Sequence, residues 1–282
     1  MARSSSFPDK SAPVATRSLS SPRRQPCRPR LDERLVQLGL CPNLACAKRA
    51  CLAGLVSVDG VIITQAGYRP FLQATVHLKA VKRFVSRGGD KLEGALERFG
   101  FAVDGLRCVD IGASSGGFSH CLLTRGAQSV TAVDVGYGQF DWRLRNDPRI
   151  HLWERANFAH IKPQLLGAPF DLAVVDLSFT PLARHSCALA ALLGQPGHLI
   201  ALIKPQFEVP QPAASGGVVC QSAVHVQAIV AVLESLREAD LAPQALTYSQ
   251  PGGQKGNREF FVWAQHCGLP ATIDAQQFIS GI

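Results

Sequence analysis

The segment Val109-Asp110-Ile111-Gly112-Ala113-Ser114-Ser115-Gly116-Gly117-Phe118 decides the fold of this 282-residue chain. An apolar strand pattern precedes it and a helical pattern follows it, so the glycines lie in a strand-to-helix turn. Glycine has no Cβ and lets a ligand approach the backbone closely. The spacing is G-x-x-x-G-G, which differs from the G-x-G-x-x-G of dinucleotide-binding proteins. The segment therefore predicts a ligand-binding loop that is not built around a pyrophosphate.

A repeated pattern of strands and helices extends from this loop toward the C-terminus. The predicted strands are 107–111, 129–133, 151–154, 172–175, 199–203, 244–249 and 259–264, and the predicted helices are 118–124, 181–193 and 222–238. Alternating strands and helices imply a parallel sheet covered on both faces. The last two strands are joined by a glycine-rich loop without a helix, so we expect them to pair antiparallel. This predicts an α/β, Rossmann-like fold of the methyltransferase type rather than the dehydrogenase type.

A carboxylate ends the second predicted strand of this sheet. Asp134 lies 22 residues beyond Gly112, where a carboxylate can accept hydrogen bonds from both ribose hydroxyls of a nucleoside. S-adenosylmethionine (SAM) has no pyrophosphate and needs a loop that admits a ribose and an amino-acid tail. We therefore predict SAM as the cofactor. The predicted SAM-binding residues are Asp110, Gly112, Ala113, Ser114, Gly116, Gly117, Phe118, Asp134, Val135 and Asn157.

Four charged side chains are predicted to meet at the ligand-binding edge of the sheet. Asp176 and Lys204 follow the fourth and fifth strands, and ligands of open α/β sheets bind at these carboxyl ends. Lys91 is predicted to begin the helix before the first strand, and Glu259 begins the last strand. Burial disfavours the charged form of an amine, so a lysine at the tip of an apolar strand can accept a proton. The strand end at Asp176 also lacks the Asn-Pro-Pro-aromatic tetrapeptide of many base N-methyltransferases, which argues against amine methylation.

The N-terminal residues differ in composition from the rest of the chain. Residues 1–29 are rich in Ser, Pro and Arg and predict a disordered basic tail, although such a composition also resembles an organellar transit peptide. Residues 1–30 hold seven basic residues and one acidic residue, and so supply +6 of the net charge of +8. The charge of the remaining chain is therefore weak evidence for a nucleic-acid partner.

Residues 30–79 predict a small α/β module. Two helices, Leu31–Leu38 and Leu44–Ala53, each stop at a glycine. A hairpin with an Asp59-Gly60 turn follows, and residues 75–78 form a further strand. The predicted domain organisation is completed by a basic linker at residues 80–90, a methyltransferase domain at residues 91–268 and a C-terminal tail at residues 269–282.

Composition indicates a cytoplasmic protein. Apolar residues make up 46% of the chain and charged residues 18%, as expected for a folded protein with a core. The nine cysteines form no C-x-x-C pair, which favours reduced thiols over a metal site. No apolar run approaches 18 residues, so no membrane span is predicted.

Four segments of the chain closely resemble the TlyA (haemolysin A) family. They are Ser86-Arg87-Gly88-Gly89-Asp90-Lys91-Leu92, Asp134-Val135-Gly136-Tyr137-Gly138-Gln139, Leu144-Arg145-Asn146-Asp147-Pro148-Arg149 and Lys204-Pro205-Gln206-Phe207-Glu208. That family joins an N-terminal S4 RNA-binding domain to an FtsJ-like methyltransferase domain, and the resemblance covers about residues 30–264. It implies 2′-O-methylation of cytidine in 16S and/or 23S ribosomal RNA, by a protein that is a monomer or a weak oligomer.

The resemblance also implies roles for the four charged residues. They match the Lys-Asp-Lys-Glu tetrad of FtsJ-like enzymes, which works without a metal. Lys204 would take the proton of the ribose hydroxyl or accept a strong hydrogen bond from it. Asp176 would orient Lys204 and the hydroxyl, while Lys91 and Glu259 would set the local field.

Ribosomal RNA within ribosomal subunits is the implied partner. The predicted RNA-binding residues are Arg34, Lys48, Arg49, Lys82, Arg83 and Arg87. One feature departs from the family, because Asn43-Leu44 stands where a Ser-Arg pair usually begins the second helix. We therefore expect one contact with an RNA phosphate fewer. The slope of log binding constant against log salt concentration should then be smaller by about one unit.

Three alternatives stay open at this point. An enzyme that acts on another RNA, such as tRNA, would be revealed by methyl-transfer assays on separated RNA fractions. A pore-forming haemolysin, as the family name suggests, would need a membrane hairpin or spanning helix, and none is visible in the sequence. An RNA-binding module with a degenerate methyltransferase fold would fail to bind SAM, although the glycine loop and all four charged residues are present.

Overall fold

The computed structural model describes residues 28–79, 83–210, 217–253 and 256–282. The chain divides into two compact units, residues 1–81 and 82–282. The predicted disordered tail lies outside the described residues except for its last two positions, and so does Lys82.

The smaller unit has two helices and a three-stranded antiparallel sheet. Its elements are α1 (Leu31–Gln37), α2 (Leu44–Leu52), β1 (Val56–Val58), β2 (Val61–Ile62) and β3 (Val76–Leu78). The strand order is β2-β1-β3. Asp59 and Gly60 both have positive φ, at 49° and 82°, as an Asp-Gly hairpin turn requires. The predicted succession of two helices, a hairpin and a further strand is confirmed.

The larger unit is built on a seven-stranded sheet. Its strands are β4 (Arg107–Ile111), β5 (Ser129–Val133), β6 (Ile150–Trp153), β7 (Phe170–Val175), β8 (Leu193–Ile203), β9 (Leu241–Tyr248) and β10 (Phe260–His266). They lie in the order β6-β5-β4-β7-β8-β10-β9. The first five are parallel to one another, whereas β10 pairs antiparallel with both β8 and β9. The predicted methyltransferase arrangement is confirmed.

Helices cover both faces of this sheet. They are α3 (Arg87–Phe99), α4 (Gly117–Thr124), α5 (Trp142–Arg145), α6 (Pro163–Leu166), α7 (Ser186–Ala190), α8 (Pro205–Glu208), α9 (Ser222–Glu238) and α10 (Ala275–Ser280), with 3₁₀ turns at Phe158–His160 and Leu182–His185. Alternate strand residues enter two separate cores, as strand geometry requires. In β7, for example, Val174 packs in the core that contains α3 and α4, whereas Val175 packs in the core that contains α9.

Helix α3 begins four residues before the predicted start at Lys91. Ser86 is its extended N-cap residue, and Gly88 and Gly89 lie in its first turn rather than in a linker. A Cβ at Gly89 would lie only 2.3 Å from Cγ of the buried Phe84 ring. The glycines therefore permit close packing at the start of a helix, which overrides their low helix propensity.

Two further expectations for the larger unit were wrong or incomplete. The predicted helix at residues 181–193 is instead a 3₁₀ turn and the short helix α7, and Leu193 already pairs with Phe170 in the sheet. Helix α10 was not predicted within the expected C-terminal tail. Asp274 caps it by accepting a hydrogen bond from the Gln277 amide.

Candidate active site

The register of the sheet brings the predicted site residues to one edge. Ile111 lies beside both Val133 and Val175, and Ile203 lies beside Phe260. The residues immediately beyond these partners are Gly112, Asp134, Asp176, Lys204 and Glu259. Strand pairing alone therefore places the glycine loop and three of the four charged residues at the same level.

The glycine loop lies against backbone on two sides. A Cβ at Gly112 would lie 2.5 Å from the carbonyl oxygen of Asp176, and the residue has φ +83°. A Cβ at Gly117 would lie 2.2 Å from the Ser86 hydroxyl oxygen and 2.9 Å from the Gly89 amide nitrogen. Larger residues would push the loop away from Asp176 and from the start of α3, so the glycines set the shape of this edge.

Asp134 holds the loop from the end of β5. Its carboxylate accepts hydrogen bonds from the backbone amides of Ser114, at 2.7 Å, and Gly136, at 2.6 Å. Ser114 is itself in the left-handed region, with φ +48°. The residue predicted to contact a ribose thus also fixes the backbone of the predicted SAM loop.

Asp110 is wholly buried beneath the loop. Its Oδ2 accepts hydrogen bonds from the Ser119 amide at 2.9 Å and the Ser119 hydroxyl at 2.6 Å, while Oδ1 meets no hydrogen-bond donor among the described residues. Burial raises the pKa of Asp110 to about 7, and the nearby carboxylate of Asp176 acts in the same direction. Asp110 therefore anchors the first turn of α4 as a carboxyl group whose ionisation is shifted toward neutral pH.

Replacing Asp110 with asparagine should weaken the dependence of stability on pH. The pKa is about 7 in the folded protein and about 3.9 in an unfolded chain. A raised pKa stabilises the fold at low pH, and this contribution is lost as the pH rises from about 4 to about 7. Urea unfolding at pH 5 and pH 8 should show a smaller difference for Asp110→Asn than for the wild type. Asp90→Asn, at an exposed position of α3, is the control, and an unchanged pH dependence in Asp110→Asn would contradict the assignment.

The four charged residues form two ion pairs. Lys91 Nζ lies 2.5 Å from Glu259 Oε2, and Lys204 Nζ lies 2.6 Å from Asp176 Oδ1. All four side chains are at least three-quarters buried. A low-dielectric surrounding strengthens such pairs, so each lysine has a fixed position relative to its carboxylate.

Both pairs and the glycine loop line a single cavity of about 520 Å³. The loop contributes Gly112, Ala113, Ser114, Gly117 and Phe118 to its wall. Ligand sites are typically concave, with a few converging polar groups on a mostly apolar lining. The volume and lining fit a small-molecule ligand that reaches the ion pairs.

Five of the predicted SAM-binding residues do not line this cavity. They are Asp110, Gly116, Asp134, Val135 and Asn157. Val135 is 72% exposed just beyond β5. Asn157 caps the 3₁₀ turn at Phe158–His160 by accepting a hydrogen bond from the Ala159 amide at 3.1 Å. Their roles toward SAM stay predictions.

Several residues of the cavity were not predicted as site residues. Ser178 accepts a hydrogen bond from Lys204 Nζ at 2.7 Å, and Gln206 also lines the wall. Phe179 is 91% exposed with φ +66°, and its ring centroid lies 5.3 Å from that of Phe207. The available signal was their position, because each lies within three residues of Asp176 or Lys204.

Glu208 links the segment that contains Lys204 to the segment that follows Phe179. Its carboxylate accepts hydrogen bonds from the amides of Leu182, at 2.7 Å, and Ala183, at 3.4 Å. Burial raises the pKa of Glu208. The bonds join helix α8, next to Lys204, to the segment that follows Phe179.

Arg34 is engaged within the smaller unit. Its guanidinium donates hydrogen bonds to the carbonyl oxygens of Phe71 and Leu72 at 2.5 Å and of Ala74 at 2.9 Å. Three carbonyl acceptors use most of the donors of one guanidinium. Arg34 therefore holds the loop before β3, and its predicted contact with RNA would have to compete with these bonds.

The other described RNA-binding candidates differ in their partners. Lys48 and Arg49 are exposed on α2. Arg83 lies 2.5 Å from Glu93, yet its side chain is 58% exposed. Arg87 is exposed and lines the cavity.

Membrane spans and metal clusters are both absent from the described part of the chain. None of its helices is long and apolar enough to cross a membrane. The same residues contain no group of three or more His, Cys, Asp or Glu side chains arranged to hold a metal ion.

The fold is that of a methyltransferase. The model of the FtsJ-like methyltransferase family matches residues 84–266, and the S4 domain model matches residues 29–70. The chain belongs to the FtsJ-like methyltransferase family, with an S4 domain at its N-terminal side.

Individual relatives show which members of the methyltransferase class this chain resembles. The chain is 40% identical to the 16S/23S rRNA (cytidine-2′-O)-methyltransferase TlyA of Mycobacterium tuberculosis over 239 residues, which make up 84% of this chain and 89% of the relative. It is 36% identical to the putative rRNA methyltransferase YqxC of Bacillus subtilis, over 83% of this chain and 84% of the relative. The structure of a putative hemolysin from Streptococcus thermophilus superposes with a TM-score of 0.69 at 33% identity, over 90% of this chain and 95% of that one. The resemblance to the TlyA family is confirmed.

Proposed function

We propose that this protein transfers a methyl group from SAM to the 2′-hydroxyl of cytidine in 16S and/or 23S ribosomal RNA. The observation that carries the proposal is the cavity in which two lysine–carboxylate pairs face a glycine loop. The names of the TlyA relatives support the choice of ribosomal RNA and of cytidine. Ribosomal subunits are cytoplasmic in bacteria, so we propose that the protein acts there.

The glycine loop fits SAM. Gly112 and Gly117 let the loop lie close against Asp176 and the start of α3, and the loop from Ala113 to Ser115 lines the cavity. The residues that would hold SAM are those of this loop, together with Asp134, which fixes its backbone. When bound, SAM supplies a methyl group on a positively charged sulfur, which is a good leaving group.

Lys204 and Asp176 are the residues proposed to act on the ribose hydroxyl. A ribose hydroxyl ionises only far above neutral pH, so its attack needs a group that takes the proton or accepts a strong hydrogen bond. Lys204 lines the cavity and provides that group, while Asp176, 2.6 Å away, holds its Nζ. Such general-base assistance contributes about 10²–10⁴-fold to a rate.

Lys91 and Glu259 set the field around this pair. Phe260 pairs with Ile203 in the antiparallel register, so Glu259, one residue before Phe260, lies opposite Lys204 across the ladder. Its carboxylate is 3% exposed and is bound to Lys91. The second pair thus places a balanced charge beside the first and keeps the cavity from carrying an uncompensated buried ion.

The S4 domain and Arg87 are proposed to contact RNA phosphates. Lys48 and Arg49 remain exposed on α2, while Arg87 is exposed beside the cavity. Phosphate contacts of this kind dominate affinity for RNA and weaken with salt. Leu44 stands where the family usually has an arginine. This surface therefore has one positively charged side chain fewer for RNA phosphates.

Phe179 is proposed to stack on the base of the target nucleotide. A bulky residue at φ +66° is strained, and strained residues cluster at functional sites. Its ring is 91% exposed at the cavity, paired with Phe207, and exposed aromatic rings are stacking partners for unpaired bases.

Phe179→Ala should weaken use of the RNA and leave SAM affinity unchanged. Stacking of one base contributes about 1–3 kcal/mol, so KM for ribosomal subunits should rise by about 5- to 150-fold. Steady-state kinetics and calorimetric titration with SAM measure the two effects. Leu269→Ala removes an apolar side chain that is also 90% exposed and serves as the control. An unchanged KM in Phe179→Ala would contradict the stacking role.

Transfer of labelled methyl groups to separated RNA fractions tests the proposal. Incorporation into 16S or 23S RNA at a cytidine ribose is the expected result. Incorporation into tRNA alone would replace ribosomal RNA as the substrate. Failure to bind SAM would leave an RNA-binding module, and lysis of liposomes by the purified protein would favour a pore-forming protein.

A further inference from the structure

Lys204 is held by two neighbours in different ways. Its Nζ lies 2.6 Å from Asp176 Oδ1, a distance that gives strong charge attraction, but the angles of this contact are not those of a hydrogen bond. The contact of Nζ with Ser178 Oγ, at 2.7 Å, has hydrogen-bond geometry. Asp176 therefore supplies charge, and Ser178 fixes the direction of one N–H bond.

Direction matters because Lys204 accepts the hydroxyl proton only after its ammonium has given one proton to solvent, and the neutral amine then has two N–H bonds and a single lone pair. The hydrogen bond to Ser178 fixes one N–H direction, and the negative charge of Asp176, 2.6 Å from Nζ, favours turning the second N–H toward that side. Lys204, Ser178 and Asp176 all line the cavity, so Nζ and both of its neighbours lie at the cavity wall. We propose that Ser178 is a positioning residue that aims the Lys204 lone pair at the ribose hydroxyl; this rests on the function proposed above.

The step balances with these groups. The 2′-oxygen forms a bond to the methyl carbon while the carbon–sulfur bond of SAM breaks and its electron pair stays on sulfur. The hydroxyl proton moves to the lone pair of Lys204. The resulting ammonium keeps one N–H on Ser178 and another beside Asp176, so neither neighbour has to move during the transfer.

Serine is a suitable residue for this task. Its hydroxyl accepts a hydrogen bond without adding charge to a site that already holds two lysines and two carboxylates. Ser178 is exposed, so truncation at this position leaves the buried cores intact. Threonine retains the hydroxyl, which provides a conservative variant.

The test compares Ser178→Ala and Ser178→Thr in the full-length protein. For Ser178→Ala, kcat for methyl transfer to ribosomal subunits should fall about tenfold, the effect of one misplaced hydrogen bond. KM for the subunits and the calorimetric Kd for SAM should stay unchanged. Ser178→Thr should restore kcat, and Ser280→Ala, at an exposed serine of α10, should leave all three values unchanged.

Crystal structures of Ser178→Ala and Ser178→Thr, determined without SAM, provide a readout besides activity. Lys204 Nζ should leave its position in Ser178→Ala and keep it in Ser178→Thr. Wild-type kcat in Ser178→Ala, equal losses in both variants, or an undisplaced Lys204 would overturn the inference. A wild-type protein that methylates no ribosomal RNA would instead overturn the proposed function, while the crystal structures would still show whether Ser178 holds Lys204.

Discussion

Lys204→Ala is expected to lower the rate of methyl transfer by about 10²–10⁴-fold, the contribution of a general base, while SAM binding persists. The variant removes a cavity residue that has both an ion pair with Asp176 and a hydrogen bond with Ser178. The glycine loop follows β4, whereas Lys204 follows β8. Removing the Lys204 side chain should therefore not change the shape of the loop. Single-turnover methyl transfer to ribosomal subunits measures the first effect, and calorimetry measures the second.

The control for Lys204→Ala is Lys162→Ala, which removes an exposed lysine at the start of α6. It should have wild-type activity and the same SAM affinity. Lys204→Arg separates charge from proton transfer, because arginine keeps the positive charge and does not act as a base near neutral pH. Full activity of either Lys204 variant would show that Lys204 does not accept the proton.

Gly112→Ala is expected to have the second large effect. The new Cβ would lie 2.5 Å from the carbonyl oxygen of Asp176, and the φ of +83° is unfavourable for any residue with a side chain. Overpacking costs about 1–3 kcal/mol and left-handed backbone about 1–2 kcal/mol more. Because the displaced atoms belong to the glycine loop and to Asp176, the affinity for SAM should fall about 10- to 100-fold, equivalent to about 1.4–2.8 kcal/mol.

Gly105→Ala is a matched control for this variant. Gly105 has a similar φ of +74°, but nothing lies within 4 Å of a Cβ at that position. It should show the backbone cost alone in urea unfolding and keep wild-type affinity for SAM. Equal SAM affinities of Gly112→Ala and the wild type would show that the loop does not hold the cofactor.

Local sequence was sufficient to predict the bounds of strands and helices where apolar runs are bounded by glycines or charges. The predicted strands at residues 107–111 and 129–133 and the helix at residues 222–238 have the predicted bounds. It failed at Leu193, whose apolar neighbours fit a helix as well as a buried strand. Pairing with Phe170, which is distant in sequence, decides that the chain there is a strand.

The edge of the sheet was predictable because parallel strands end at a common level. That rule alone predicts that Gly112, Asp176 and Lys204 lie together. Lys91 and Glu259 were also predicted to lie at this edge, but their direct pairing was not predictable, because it joins residues 168 apart and depends on where the fold places the start of α3.

Side-chain direction was the main information that the sequence did not contain. Arg34 is basic and lies in an S4 domain, yet it donates to three carbonyl groups of its own unit. In the sequence Ser178 is only a neighbour of Asp176, and its contact with Lys204 Nζ arises from the fold. The early start of α3 likewise depends on the ring of Phe84, which leaves no room for a side chain at Gly89.

The most direct test of the central claim is mass-spectrometric mapping of ribose methylation in ribosomal RNA from cells with and without this protein. The account predicts that one or more 2′-O-methylcytidines of 16S or 23S RNA disappear without the protein. They should return with the wild-type protein and not with Lys204→Ala. Identical maps with and without the protein would contradict the account.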